Sequence, residues 1–403
     1  TSFKCDWSSD VCSSDLTEHK GGFDPFSVDI TDVLNVSGSQ EIVVQVFDPT
    51  RGGQPTGKQD PVPGATSYTP STGIWQTVWT EVVNPTYVTD VVLTPVDNSA
   101  VKVKVEAANA EGAVATVKVM DGTTEVASVD VAAGAEITIP VANAKLWSPE
   151  TPFLYNVNVT LKKNGTATDN VTSYFGMRKI EVKKLREKPY IYLNGQLTFN
   201  FATLDHGYFP DGIFTPASYE AMRFDLKKLK ELGFNAVRKF EKIEPAIWYH
   251  LADSLGLLVW QDIPAAHVGT PIAELNTEAA RKANFLRETA AMTKSIRNFP
   301  SVVAWIGFND GWGRYGQAHV QNTVNLFRNL NDGRLILPES GEDNYELGDV
   351  VSRHGLPLPV LHTNPYNERA SICGVTGNYP YVINGHVWNT SSSSDIKDDQ
   401  TYA

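Results

Sequence analysis

The arrangement of strand and helix patterns after Tyr190 is the feature that most limits the possible folds. Short runs rich in apolar residues alternate there with longer amphipathic stretches, and repeats of this kind predict a parallel sheet with right-handed crossovers. The predicted strands are Leu197–Phe201, Ala236–Phe240, Leu257–Gln261, Val302–Phe308, Leu335–Leu337, Val350–Arg353 and Ser371–Cys373. The predicted helices are Ser218–Leu232, Pro245–Ser254, Thr277–Arg297 and Ala318–Leu330.

The strand pattern indicates a (β/α)8 barrel over residues 184–403. An eighth strand is expected beyond Trp388, where only a short stretch of chain remains. Because a closed barrel tolerates unpaired edges poorly, we expect the chain to be truncated at its C-terminus as well as at its N-terminus.

Residues 85–183 have a different pattern, with short alternating runs separated by turn residues. The predicted strands are Val88–Thr94, Val101–Ala107, Ala115–Val119, Glu125–Val131, Glu136–Val141, Tyr155–Leu161 and Val171–Met177. This number of strands in this length predicts an immunoglobulin-like β-sandwich. Trp147 lies between the predicted strands Glu136–Val141 and Tyr155–Leu161, and we interpret it as a core residue.

Residues 21–84 also alternate, and predict strands at Phe26–Ile30, Glu41–Phe47 and Ile74–Val83. A Gly/Pro-rich loop, Asp48–Gly73, separates the last two, and we assign no functional residue to it. We interpret the segment as a partial, jelly-roll-like sandwich. Residues 1–20 are set aside as non-native sequence, because Cys5 to Leu16 resembles a translated sequencing adapter; a natural disordered leader is the alternative.

Composition limits the classes of partner. The chain has 34 basic and 46 acidic residues, a net charge of −12, which disfavours nucleic acid and anionic membranes as partners. No apolar run is long enough to span a bilayer. A neutral ligand fits this composition better, and the oligomeric state is left open.

In a parallel barrel, functional side chains lie where strands end. That rule selects a small set of polar positions and one loop. They are Asp205, His206, Arg238, Gln261, Asp262, Asn309, Asp310, His354 and the loop Val375–Asn378.

Several motifs resemble glycoside hydrolase family 2, the β-galactosidase-like enzymes. In the barrel they are Thr198–Gly212, Leu232–Lys239, Leu257–Asp262 and Phe299–Gly313, and upstream Thr72–Trp79 and Leu146–Pro149. The resemblance implies hydrolysis of β-glycosides with retention, using one glutamate as acid/base and another as nucleophile, with carboxyl groups about 5 to 5.5 Å apart. It also suggests a periplasmic or secreted location.

Both catalytic positions depart from the family pattern. The family's acid/base glutamate corresponds to Asp310, which is shorter by one methylene, and the nucleophile corresponds to Val375. Valine cannot form a glycosyl-enzyme ester. Glu368 could replace it only in a rearranged loop, and we interpret Glu368, like Glu339, Glu342 and Glu346, as an ordinary loop residue.

Other positions match family residues that line the sugar pocket. The resemblance implies substrate binding by Asp205, His206, Asn309, Trp312, His354 and Trp388, with Asn309 bonded to the sugar 2-hydroxyl and Trp312 stacking or shaping the wall. For any one of these residues considered by itself, a role in core packing is the alternative to substrate binding. Arg238 is expected to brace the barrel through an ion pair with Asp262.

Three functional hypotheses follow. The first is an O-glycosyl hydrolase that acts on a neutral β-linked sugar with impaired activity. The second is a catalytically inactive carbohydrate-binding pseudoenzyme, and the third is a fragment with no function. No metal-ligand spacing, phosphate-binding glycine loop or cofactor motif is present in the sequence, so no cofactor is implied.

Overall fold

The computed structural model describes residues 17–64, 67–267, 271–341, 345–360 and 368–377. In its first part, up to residue 84, the only helical element is a 3-10 turn at Thr31–Val33. The three strands predicted in this segment do not form, and apolar residues such as Phe47 and Val82 are exposed. Alternation favours extended backbone, but extended backbone becomes a strand only when a neighbour pairs with it, and the described residues supply no such neighbour.

The immunoglobulin-like sandwich is confirmed, and all its predicted strands form. They are β1 Val88–Val96, β2 Ala100–Ala107, β3 Val114–Asp121, β4 Thr124–Ala132, β5 Glu136–Pro140, β6 Tyr155–Lys163 and β7 Thr166–Phe175. One sheet has the order β1-β2-β5 and the other β4-β3-β6-β7, with antiparallel pairing throughout. Alternate residues of facing strands, such as Val103 and Val117, are fully buried between the sheets.

A small antiparallel sheet follows, made of β8 Ile180–Leu185, β9 Lys188–Leu193 and β10 Gln196–Leu197. Its apolar residues Ile180, Ile191 and Leu193 pack against the first residues of several barrel strands. The sheet therefore closes the N-terminal end of the barrel, opposite the end where the strands terminate.

The barrel strands run parallel in chain order. They are β11 Ala202–Asp205, β12 Ala236–Lys239, β13 Leu258–Asp262, β14 Val302–Asn309, β15 Leu335–Ser340, β16 Val350–Gly355 and β17 Ala370–Thr376. β11 to β15 form one sheet, and β16 pairs with β17. The predicted strand Leu197–Phe201 is wrong, because Leu197 ends the small sheet and the first barrel strand begins at Ala202. The eighth strand and Trp388 lie outside the described residues.

The helices between the strands agree with the sequence pattern. They are α1 Tyr219–Glu231, α2 Ala246–Leu255, α3 Glu278–Ile296 and α4 Gly316–Leu330. Ser218 and Thr277 cap α1 and α3 by accepting from backbone N–H groups. Gly256 ends α2 in the left-handed conformation. No helix in the described ranges is long and apolar enough to cross a membrane.

The sandwich and the barrel share a buried contact. Trp147 is fully buried, as predicted, and its Nε1 donates to the backbone oxygen of Asp253 at 2.8 Å. Arg178 donates to the backbone oxygens of Pro300 and Val302 at 2.8 and 2.7 Å. These bonds fix the barrel against the preceding domain.

Candidate active site

Arg238 organises the C-terminal end of the barrel. Its guanidinium forms a two-point ion pair with Asp262, at 3.0 and 2.9 Å, with both side chains almost fully buried. It also donates to Asn309 Oδ1 at 2.9 Å, to Ser340 Oγ at 2.8 Å and to the backbone oxygen of Gly374 at 3.2 Å. The expected Arg238–Asp262 pair is thus present, and it connects the ends of β12, β13, β14, β15 and β17.

Asp310 follows β14 in the left-handed conformation, with φ of 48°. Its Oδ2 accepts from Asn309 Nδ2 at 2.9 Å, and its Oδ1 lies 3.1 Å from His354 Nδ1. Burial opposes ionisation, but the hydrogen bond and charge of His354 outweigh it, so the pKa of Asp310 lies below its usual value. Asp310 is therefore a carboxylate near neutral pH, a state suited to accepting a proton.

His354 lies between two site residues. Its Nδ1 contacts Asp310, and its Nε2 lies 3.0 Å from Ser340 Oγ, which is also 3.2 Å from Ser352 Oγ. His354 therefore contacts Asp310 through Nδ1, whose N–H donates to the carboxylate, and Ser340 through Nε2.

Asp205 is the last residue of β11 and His206 follows it, so both lie at the same end of the barrel. Asp205 accepts from Gly207 N at 2.8 Å and pairs with Lys239 Nζ at 3.1 Å. Burial opposes ionisation of Asp205, but the Lys239 charge outweighs it and lowers the pKa of the carboxyl. His206 Nδ1 bonds to Tyr68 Oη at 2.8 Å, and burial, followed by the charge of Lys58, lowers the pKa of His206 to about 4.

The residue predicted at the nucleophile position, Val375, carries no carboxyl group. Val375 lies in β17 and pairs in register with His354 of β16. Glu368 does not replace it, because this residue is 81% exposed and pairs with Lys184 of the small sheet that closes the opposite end of the barrel.

Glu339 is not the loop residue that the sequence suggested. It lies in β15, is 3% exposed and accepts from Arg314 Nη1 at 2.8 Å. Since Arg314 follows β14, the pair connects two neighbouring strand ends. Glu342 lies outside the described residues, and Glu346 is exposed.

The loop Asp48–Gly73 reaches this site, which the sequence analysis did not predict. The backbone N–H groups of Thr56 and Gly57 both donate to Ala265 O, at 2.9 and 3.0 Å, just after β13. Lys58 then lies over Trp312, with Nζ 3.8 Å from the ring centroid, and Tyr68 bonds to His206. A segment outside the barrel therefore supplies two side chains to the barrel site.

Glu241 was not among the site residues predicted from the sequence, although it lies only two residues after the end of β12. It is 2% exposed, adopts φ of 50°, and burial raises its pKa to about 8. Asp262 and Asp310 also influence this pKa, which places Glu241 close to the site. Applying the strand-end rule to every residue just after β12 would have found it. Within the described ranges no cluster of three metal-ligating side chains is present.

Comparison with known proteins identifies the two domains. The sequence profile of glycosyl hydrolases family 2 matches residues 86–178, and that of the same family's TIM barrel domain matches residues 215–355, together more than half of the chain. The chain is 31% identical over 223 residues to a β-galactosidase of Lactococcus lactis subsp. lactis, and 28% identical over 306 residues to a β-galactosidase of Thermoanaerobacter pseudethanolicus. These alignments cover 55% and 72% of this chain, but 21% and 38% of the relatives.

A further relative is a putative β-glucuronidase of Formosa agariphila, which is 26% identical. The alignment covers 71% of this chain and 34% of the relative. Among solved structures, the β-glucuronidase of Parabacteroides merdae matches 67% of this chain and 35% of its own, with a TM-score of 0.56 and 23% identity. The chain thus spans well under two thirds of the length of these proteins.

Proposed function

Because the chain belongs to glycosyl hydrolase family 2, we propose that its barrel binds a neutral β-linked sugar at the C-terminal end and hydrolyses the glycosidic bond poorly. The proposal is supported by the ordered set of polar side chains around Arg238 at this end of the barrel, and by the family resemblance, which assigns the two catalytic positions to Asp310 and Val375. Retention by two carboxylates needs both a nucleophile and a proton donor.

Asp310 is poorly suited to protonate a leaving group. It is held by Asn309 and His354, and its pKa lies below the usual value, so little of the acid form is present at neutral pH. Its shorter side chain also withdraws the carboxyl group from a site built for glutamate, and a displacement of about 1 Å can reduce a rate by about a hundredfold.

The polar residues that remain are suited to sugar binding. Asn309 uses its Oδ1 to accept from Arg238 and one N–H to donate to Asp310. No described residue bonds to its second N–H, and we assign this donor to a sugar hydroxyl group. We assign the remaining contacts, by family resemblance, to Asp205, His206, Trp312, His354 and Trp388. Lys58 covers one face of Trp312, so a stacked sugar would use the other face.

A catalytically inactive carbohydrate-binding protein is the second candidate. It is favoured by Val375, because valine cannot form a glycosyl-enzyme ester. The two candidates share the binding site and differ only in residual turnover.

The test measures binding and turnover separately. We expect the purified chain to bind methyl β-glycosides in calorimetry and to hydrolyse a panel of nitrophenyl β-glycosides very slowly, with any turnover reduced further in Asp310→Asn. Efficient hydrolysis by the parent chain would contradict the proposed impairment. Failure to bind any sugar in the panel would contradict the assignment of the site.

A further inference from the structure

Lys58 is a buried cation whose charge is not matched by a hydrogen bond. Its side chain is 6% exposed, and its Nζ lies 3.8 Å from the ring centroid of Trp312 and 4.9 Å from that of Phe240. Among the described residues, Nζ has no hydrogen bond and no ion pair, and its close contacts are the two aromatic rings. An ammonium group has three donors, so aromatic contact alone leaves its hydrogen-bonding capacity unused.

Glu241 is in the complementary situation. It is 2% exposed, and neither Oε1 nor Oε2 has a hydrogen-bond partner in the part of the chain that the structure describes. Its backbone is packed tightly against the same loop, because a Cβ placed on Gly57 would lie 2.1 Å from Glu241 O. A buried carboxyl group without partners is costly unless something else completes its hydrogen bonds.

Two contacts bring the two residues into the same region: a Cβ on Gly57, the residue before Lys58, would lie 2.1 Å from Glu241 O, and Lys58 Nζ lies 4.9 Å from the ring of Phe240, the residue before Glu241. Burial lowers the pKa of Lys58, and Glu241 is the charge that opposes this most strongly; burial raises the pKa of Glu241, and Lys58 is in turn the charge that opposes it most strongly. Asp310 also acts on both. Lys58 also lies over Trp312, two residues after Asp310, so the pair lies in the region of Asp310, yet its two groups form no ion pair within the described residues.

A sugar hydroxyl supplies what each partner lacks. It accepts a hydrogen bond from an ammonium group and donates one to a carboxyl oxygen, so a hydroxyl between the two bonds to both. We propose that Lys58 and Glu241 form a hydroxyl-recognition pair, in which Lys58 donates to and Glu241 accepts from hydroxyl groups of the sugar bound beside Asp310. This inference rests on the proposed function and adds the loop of residues 48–73 to the binding site.

The alternative is that the pair only docks the loop onto the barrel. Docking and recognition differ in what they affect: a docking contact changes the thermal midpoint and leaves the sugar affinity of the folded protein unchanged, whereas recognition changes the dissociation constant. Recognition also predicts that the effect depends on a particular hydroxyl group of the ligand.

The experiment is calorimetry of the full chain with methyl β-glycosides and their monodeoxy analogues. Lys58→Met and Glu241→Gln are each expected to weaken binding of the parent sugar by about tenfold or more, and one deoxy analogue should bind the parent and both variants with similar affinity. The matched control is Lys118→Met, which replaces an exposed lysine of the sandwich. This variant should bind the sugar with the affinity of the parent. If Lys58→Met does not fold, Lys58→Arg takes its place, because it keeps the charge and approximate length of the side chain. It should also bind the sugar more weakly than the parent, because the geometry of its hydrogen-bond donors differs.

The outcomes separate the two claims. If the parent binds no sugar, the proposed function fails. If the parent binds and the folded Lys58 and Glu241 variants bind within about twofold of it, the recognition pair is overturned while the proposed function stands. A lower melting temperature with unchanged affinity likewise overturns it in favour of docking.

Discussion

Asp253 offers a test of the buried contact between the sandwich and the barrel. It lies in α2 and is fully buried, with Oδ1 accepting from Ser301 N and Oδ2 from Tyr174 Oη, both at 2.8 Å. Its backbone oxygen accepts from Trp147 Nε1. Burial raises the pKa of Asp253 to about 7, and the bonds from Ser301 and Tyr174 oppose this rise only in part.

The raised pKa sets the sign and size of a pH effect on stability. In the unfolded chain the carboxyl has its ordinary pKa of 3.8, so between about pH 4 and pH 7 the unfolded state loses a proton that the folded state keeps. The free energy of unfolding should then fall by about 1.4 kcal/mol per pH unit, about 4 kcal/mol across that window. Asp253→Asn removes this contribution, because an amide does not ionise.

We therefore expect the advantage of Asp253→Asn over the parent to grow with pH. At about pH 4 the protonated acid and the amide are close in shape and charge, and the two proteins should differ little; at about pH 8 the variant should be more stable by up to about 4 kcal/mol. Urea denaturation followed by tryptophan fluorescence at a series of pH values measures the difference. Asp32→Asn, at an exposed position, is the control and should show no such trend.

A constant difference between parent and Asp253→Asn from about pH 4 to pH 8 would refute the reasoning. It would mean that Asp253 is ionised in the folded protein throughout this range, and that its two hydrogen bonds fully offset its burial.

Three further substitutions test other contacts. Gly57→Ala places a Cβ 2.1 Å from barrel backbone at φ of 62°, so limited proteolysis should cut the loop of residues 48–73 faster than in the parent, whereas Gly22→Ala, with open space around it, should not change this rate. Arg238→Met leaves Asp262 buried without its partner and should lower the free energy of unfolding by about 3 to 5 kcal/mol; adding Asp262→Asn should recover part of the loss in chemical denaturation. Trp147→Ala should cost about 3 to 5 kcal/mol, and an unchanged thermal midpoint would contradict its place in the core.

The sandwich could be predicted well because its strands carry their own signal. Each inward side chain, such as Val103 or Val117, alternates with polar neighbours, and a turn follows each strand. In the described part of residues 21–84 the same alternation is present but no strands pair, so an extended backbone alone did not produce a sheet there. Pairing is a property of neighbours, and the local sequence does not report whether a neighbour is present.

Among the described residues, the barrel strands were predicted except for the first. Phe199 and Phe201 suggested a buried strand, but both are exposed, at 80% and 50%. The chain there leaves the small sheet, and the strand begins at Ala202. An apolar run shows where a strand could form, and the register is decided by the hydrogen-bonding partners of the finished sheet.

Part of the site was predictable because strand ends converge in a parallel barrel. This rule located Asp205, Asn309 and His354 correctly at the C-terminal end. It could not find Lys58, which comes from a distant loop and has no local pattern. Only tertiary packing brings that residue over Trp312.

The most direct test of the central claim is the rate of nitrophenyl β-glycoside hydrolysis by Asp310→Glu/Val375→Glu, compared with the parent and with each single variant. If the sugar site is intact and only the two carboxyl groups are deficient, kcat should rise by at least about a hundredfold while the sugar dissociation constant stays near that of the parent. A double variant that folds, binds sugar and hydrolyses no faster than the parent would contradict the account.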